Sequence, residues 1–303
     1  MVSIELSSLN PREVEAYLQS AILPRPIGLV STIDREGKVN LSPYSCFNLF
    51  SANPPIVIFS PSRRFTDNTI KHTLENIAEV PEAVIHLVDY AMVRQAELAG
   101  ADYDRGINEF EKAGFTMTPA SKVQPPMVQE SKIKMECRVL EIKPLGTEGG
   151  AGNLVICEVL CLHIDESILD REGKVAVERL NLVACLGQDQ YALINRQHVF
   201  RLEEGFSSPG IGVDRLPAII RDSKVFTGNH LAQLASVTEI PKSLGCFGVE
   251  ADTDLTHCEG RVMAIHLQAI HLLDTGNLDM AWQVLLQLVR DPEQEVKEVV
   301  AAL

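Results

Sequence analysis

No stretch of the 303 residues holds the ~20 consecutive apolar side chains a membrane-spanning helix needs. The first residues, Met1 to Leu6, lack the basic start and apolar core of a secretion signal, so the expected compartment is the cytoplasm. Basic residues are also scarce. With 27 Lys and Arg against 41 Asp and Glu the net charge is −14, which excludes a general binder of nucleic acid or of anionic membranes. The seven cysteines (Cys46, Cys137, Cys157, Cys161, Cys185, Cys246 and Cys258) are an odd number with no Cys-x-x-Cys spacing. They read as reduced thiols rather than as a disulfide framework or a zinc site. His266 and His271 stand five apart, off the usual helical ligand spacing, and His257 beside Cys258 adds little, so no metal site is expected. There is also no Gly-x-Gly-x-x-Gly loop, Walker sequence or Gly-x-Ser-x-Gly elbow.

What is present is an ordinary globular composition, 46% hydrophobic and 22% charged, with length for one large or two medium domains. Asn10-Pro11-x-Glu13 predicts a helix over 11–20, with Asn as cap and Pro in the first turn. Strands follow at Ile27–Ile33 and Lys38–Leu41 around a Gly37 turn, then at Ile56–Phe59 and Val84–Val88. Thr73 is expected to cap a helix to Glu79, and Asp89 one ending at Gly100; another is expected over 106–113. Ile133–Ile142 alternates apolar and polar, the period of a half-buried strand, and Leu154–Ile164 returns as its hairpin partner. Asp34-Arg35-Glu36-Gly37-Lys38-Val39 recurs as Asp170-Arg171-Glu172-Gly173-Lys174-Val175; without matching flanks, two similar turns explain the echo better than duplication. Composition turns to a linker at Gly205–Gly210. Beyond it helices are expected at Arg215–Arg221, His230–Ala235, Arg261–Asp274 and Leu278–Arg290. The expected division is a β-rich domain over 1–204 and a mainly helical extension over 205–303.

The densest stretch runs from Pro24 to Asn76. It contains Pro24-Arg25-Pro26-Ile27-Gly28-Leu29-Val30-Ser31-Thr32, the corner Asn40-Leu41-Ser42-Pro43-Tyr44-Ser45-Cys46-Phe47-Asn48, and Asn53-Pro54-Pro55 opening a buried strand. A cationic run from Ser62 through Arg63 and Arg64 to Lys71, Thr73 and Asn76 follows. Strand, corner, strand and cationic loop can hold a flat aromatic ligand against backbone and its phosphate against Arg, Lys and hydroxyls.

These motifs, in this order, resemble the flavin reductase-like proteins. The resemblance continues through Gly114-Phe115-Thr116, Glu130-Ser131 and Met135–Val139 to Leu186-Gly187 and Tyr191, spanning roughly residues 20 to 195. It implies an FMN-binding split β-barrel: mainly β with flanking helices, followed here by the helical extension. It also implies FMN (FAD being possible), NAD(P)H as transient donor over the flavin, a homodimer, and a free-flavin, ferric or protein electron acceptor. Pro43, Tyr44 and Ser45 would lie along the isoalloxazine ring. Ser62, Arg63, Lys71, Thr73 and Asn76 would hold phosphate and ribityl, unless they are a solvated cationic loop. His163 either orients nicotinamide and assists proton delivery, or is a strand-end histidine pairing with Asp165 or backbone. Two departures are visible. His72 stands where the family commonly has Asp, and Cys185, read as a small buried residue, stands where it often has Arg. A non-catalytic flavin carrier and a barrel without cofactor are the rival readings.

Overall fold

Asn10 opens the first helix, α1 (Pro11–Ala21), through a full capping box: its side chain accepts from the N–H groups of Arg12 and Glu13, and the Glu13 carboxylate accepts from the Asn10 N–H. The chain then passes through β1 (Arg25–Pro26), β2 (Gly28–Ile33), β3 (Val39–Tyr44), β4 (Phe47–Ala52) and β5 (Pro55–Phe59). Next come α2 (His72–Glu79), β6 (Glu82–Leu87), α3 (Val93–Ala99) and α4 (Glu109–Ala113). The short pair β7 (Met117–Thr118) and β8 (Met127–Val128) precedes the long hairpin β9 (Ile133–Pro144) and β10 (Asn153–Ile164), and β11 (Leu182–Gly187) and β12 (Gln190–Ile194) complete the β-rich part. The computed structural model describes residues 1–187, 189–200, 209–242 and 258–289. The chain divides into two compact units, Met1–Val199 and Phe200–Leu303.

The main sheet of the first unit is antiparallel in the order β3-β2-β6-β9-β10-β5-β4. Its two edge strands, β3 and β4, are joined by Ser45 and Cys46 alone. Three Cα steps from Tyr44 to Phe47 span at most about 11 Å. A flat sheet of this many strands would hold its edges roughly 29 Å apart. The sheet therefore rolls until its edges meet at that corner, giving a barrel closed there and open elsewhere. Gly28 permits the closure, since a Cβ there would stand 3.1 Å from Ile85 and 3.2 Å from the Phe47 ring. A second sheet, β1-β11-β12, pairs Arg25 with Cys185 and Pro26 with Ala184.

β2 is buried along its whole length because it separates two cores. Val30 joins Phe59, Ile85 and Val155 inside the barrel, while Leu29 joins Leu41, Met92 and Phe110 beneath α3 and α4. His86 ties the layers together: its Nδ1 meets the Leu29 carbonyl at 2.7 Å and its Nε2 accepts from the Val128 N–H at 2.9 Å. Burial holds its pKa down to about 3, against 6.5 in the unfolded chain. The lowered value makes the unfolded state the better proton acceptor, so this contribution is complete above pH ~6.5 and is lost as pH falls toward ~3. Thermal midpoints taken across that window should fall with acidification.

Two expected helix caps are not formed. α2 begins at His72 with Lys71 as its cap residue, because Thr73 turns into the core; α3 begins at Val93, and Asp89 instead accepts from the Ala91 N–H and pairs with Lys132. In the second unit the described elements are helices: α5 (Ala218–Arg221), α6 (Gly228–Leu234), α7 (Cys258–Asp274) and α8 (Leu278–Leu285). They close around Trp282, Leu234, Ile220 and Ala269, with the Trp282 indole N–H donating to the Leu234 carbonyl. The last expected helix stops at Leu285; Arg290, His257, Cys246 and residues 205–208 of the expected linker lie outside the described residues. Among the described residues no helix is long and apolar enough to cross a membrane.

Candidate functional site

Where the sheet edges meet, a cavity of about 370 Å³ opens between the corner and α1. Its corner wall is Ser45, Cys46, Phe47 and Asn48, with Ser60 beside Cys46, to whose carbonyl its N–H donates at 2.9 Å; Leu18, Ile22 and Arg25 complete the lining. The size falls within the range of small-molecule sites, about 300–1,000 Å³. Arg25 is the unusual member. It is only 8% exposed, and its guanidinium donates to the carbonyls of Gln19 and Ile22, which α1 leaves unpaired at its end, and to Cys185 Sγ at 3.4 Å. Among the described residues its Nε has no partner and no carboxylate contacts it. A buried cation without a counter-charge is costly unless an anionic group completes it. Pro43 and Ser45 also line an adjoining cavity of about 190 Å³ with Cys185 and Tyr191.

The cationic residues gather elsewhere, around the start of α2. Lys71 Nζ and Arg64 Nε each stand 3.1 Å from Asp102 Oδ1, in a cleft shared with Ser42, His72 and Tyr103. These two cations, Lys71 foremost, hold the Asp102 carboxyl below its usual range. The opening turn of α2 carries no side-chain cap, and His72 and Thr73 of that turn line the cleft. The other expected phosphate ligands are engaged by their own neighbours. Thr73 lines the same cleft with Tyr44, is 1% exposed, and accepts from the Tyr44 hydroxyl at 2.7 Å and the Asn40 amide at 2.8 Å. Asn76, 4% exposed, donates to Thr32. Arg63 grips the Asn68 turn through its side-chain and main-chain oxygens, and Ser62 bridges to Gly152. Arg64, one residue on, is the arginine that stands beside Lys71 in the cleft.

His163 sits in neither place. Its Nε2 meets Glu136 Oε1 at 2.6 Å, rather than Asp165 or backbone. Glu136 is fully buried and also accepts from the Ser121 hydroxyl and the N–H groups of Ser121, Lys122 and Val123. Burial alone would raise its pKa, but those bonds carry it down to about 2. Cys161 brings a third ligand atom within 4.8 Å of the pair, yet both carboxylate oxygens are already taken by N–H and O–H donors. Cys137 and Cys157 are buried thiols whose pKa values burial pushes up, the latter to about 12.

The model of the flavin reductase-like domain matches residues 20–185, more than half of the chain. The chain belongs to the flavin reductase-like family. This family member is similar to nitrilotriacetate monooxygenase component B from Bacillus cereus, at 30% identity and a TM-score of 0.62, over 67% of this chain and 98% of that one. It is similar to the 2-nitrobenzoate 2-nitroreductase of Pseudomonas fluorescens, at 27% identity and 0.61, over 70% and 100%. A split-barrel-domain protein of Shewanella frigidimarina matches at 28% and 0.56, over 65% and 94%. All three alignments cover nearly the whole of the other chain, so the barrel is the shared part and the flavin reductase-like member carries its second unit in addition.

Proposed function

We propose that this chain is a flavin-dependent oxidoreductase that takes hydride from NADH or NADPH onto FMN, with FAD the alternative, and passes the electrons to a free-flavin, ferric or protein acceptor. The observation that carries the reading is Arg25, a buried cation with an unpartnered Nε beside an apolar cavity at the Ser45–Asn48 corner. A bound flavin supplies a ring that accepts hydride at N5 and gathers negative charge along its N1–C2 edge. Arg25 offers the counter-charge and the free donor that such an edge requires, and Ser45 and Asn48 offer polar atoms on the same wall. Arg64, Lys71 and the opening amides of α2 form a donor set suited to a phosphate. Each set therefore fits one part of the group, the corner the ring and the α2 cleft the phosphate. The monooxygenase component and the nitroreductase support an oxidoreductase role through their own activities. Leu18, Ile22, Leu49 and Phe50 are 43–64% exposed, and Leu18, Ile22 and Phe50 line the cavity. A second copy covering this rim would make the homodimer and shield the ring.

An anaerobic titration with FMN, then with NADH and NADPH in turn, tests the reading through the flavin absorbance. Saturable binding with bleaching supports it. Binding without bleaching, where dithionite still reduces the flavin, turns it into a carrier. Absence of binding overturns it. Asp102 gives a second check, because its carboxylate occupies the cations a phosphate would use. Asp102→Asn should tighten FMN about three- to tenfold while leaving riboflavin, which has no phosphate, unchanged.

A further inference from the structure

A third cavity, about 450 Å³, lies between α3 and the β11–β12 hairpin. Tyr90 and Tyr191 line it, 66% and 45% exposed, over an apolar floor that includes Val183 and Leu193. It shares Val93, Glu97 and Tyr191 with the 190 Å³ cavity that reaches Pro43 and Ser45, so it opens toward the wall of the corner site. Its charges do not cancel. Arg94 is matched by Glu97 at 3.0 Å, which leaves Asp189 as the excess charge. The Tyr191 phenol registers that field: burial, Cys185, Glu97 and Asp189 push its pKa up, against Arg94 alone. The diphosphate of a nicotinamide dinucleotide would be repelled here. A flat cation would find two phenol faces and a free carboxylate.

We propose that this cavity is the docking site of a planar monocationic aromatic electron acceptor, of the phenothiazinium or N-alkylpyridinium class. Its role as an acceptor site rests on the flavin reading above; its binding does not. In net, two electrons and a proton pass from the reduced flavin to the cation. The flavin returns to its oxidised form and the acceptor becomes a neutral dihydro compound. The product has thereby lost the charge that held it, which favours release.

The test is titration of the purified full-length chain with a phenothiazinium dye, following the dye's own absorbance beyond the flavin bands. Saturable binding is expected. Asp189→Asn should weaken it and Arg94→Gln should tighten it, each about two- to fivefold. Tyr191→Leu should weaken it by a similar factor, while Tyr191→Phe, which keeps the ring face, should not. Glu172→Gln, at the exposed Asp170–Lys174 turn, separates the site from attraction to the net charge of −14 and should change nothing. The proposal is overturned if an anionic indophenol binds equally well, if Asp189→Asn and Arg94→Gln move affinity the same way, or if Glu172→Gln matches Asp189→Asn. Failure of dye binding in a protein whose flavin still binds and bleaches sinks this proposal alone. Dye binding that persists without flavin binding leaves the site standing and removes the flavin reading.

Discussion

Arg25→Met is expected to lower the midpoint potential of the bound flavin by about 45–65 mV. The figure follows from losing roughly 2–3 kcal/mol of differential stabilisation between the reduced anion and the neutral oxidised ring, at about 30 mV per 1.4 kcal/mol for a two-electron couple. The sign is fixed by charge: removing a buried cation disfavours the anionic, reduced form, so the potential becomes more negative. Oxidised flavin, which is neutral at that edge, should lose affinity by a smaller factor than reduced flavin. Arg25→Lys should recover part of the potential, since the charge returns but the fork onto the Gln19 and Ile22 carbonyls and Cys185 does not. Spectroelectrochemical titration of the three proteins reads the effect directly. A merely structural Arg25, fastening the end of α1 to the barrel, would lower thermal stability in both variants and leave the potential where it was.

Much of this architecture is legible because its signals are local. The Asn10 capping box forms as the residues imply. The repeated Asp-Arg-Glu-Gly-Lys is explained by turn chemistry: Asp34 Oδ1 accepts from the N–H groups of residues 36 and 38, and Asp170 Oδ1 from those of 172 and 174. Gly37 and Gly173 supply positive φ at +81° and +76°. Nothing comparable announces the side-chain roles. Thr73 reads as a cap because its neighbours in sequence are all that a cap rule sees, but Tyr44 and Asn40 capture its hydroxyl from a different strand. The choice between Arg63 and Arg64 depends on which carbonyls the turn at Asn68 presents, and that turn is tied to the 146–152 loop by the Arg63 main chain. Arg25 is visible only as one member of a Pro-Arg-Pro run. Its meaning comes from burial against the end of α1, a contact formed by packing.

Glu136 is the clearest instance of what periodicity misses, and Glu136→Gln should destabilise the first unit by about 2–4 kcal/mol. Alternation along β9 assigns Glu136 to the polar face with Lys134 and Arg138, and so to solvent. The 119–124 segment folds over that face instead, and its N–H groups converge on the carboxylate. A glutamine would keep one acceptor and turn an NH₂ group toward donors, leaving buried N–H groups unmatched. For a unit of this size the loss corresponds to a fall in Tm of roughly 5–15 °C. The pH dependence has a definite sign. A carboxyl held at about 2 in the fold, against about 4.3 unfolded, contributes fully above pH ~4.5 and is lost as pH falls toward ~2. The protection of the Ser121–Val123 amides, measured against their intrinsic exchange rates, should therefore fall in that window in the native protein, and at neutral pH in Glu136→Gln. A second variant decides the role of His163, whose Nε2 rests on this carboxylate at 2.6 Å. If His163 only helps to position the loop, His163→Gln lowers Tm and leaves the rate of flavin reduction by nicotinamide within about twofold. If it delivers a proton, the rate should fall by a factor of about 10² or more, as removal of a general acid does, and its pH profile should lose a limb.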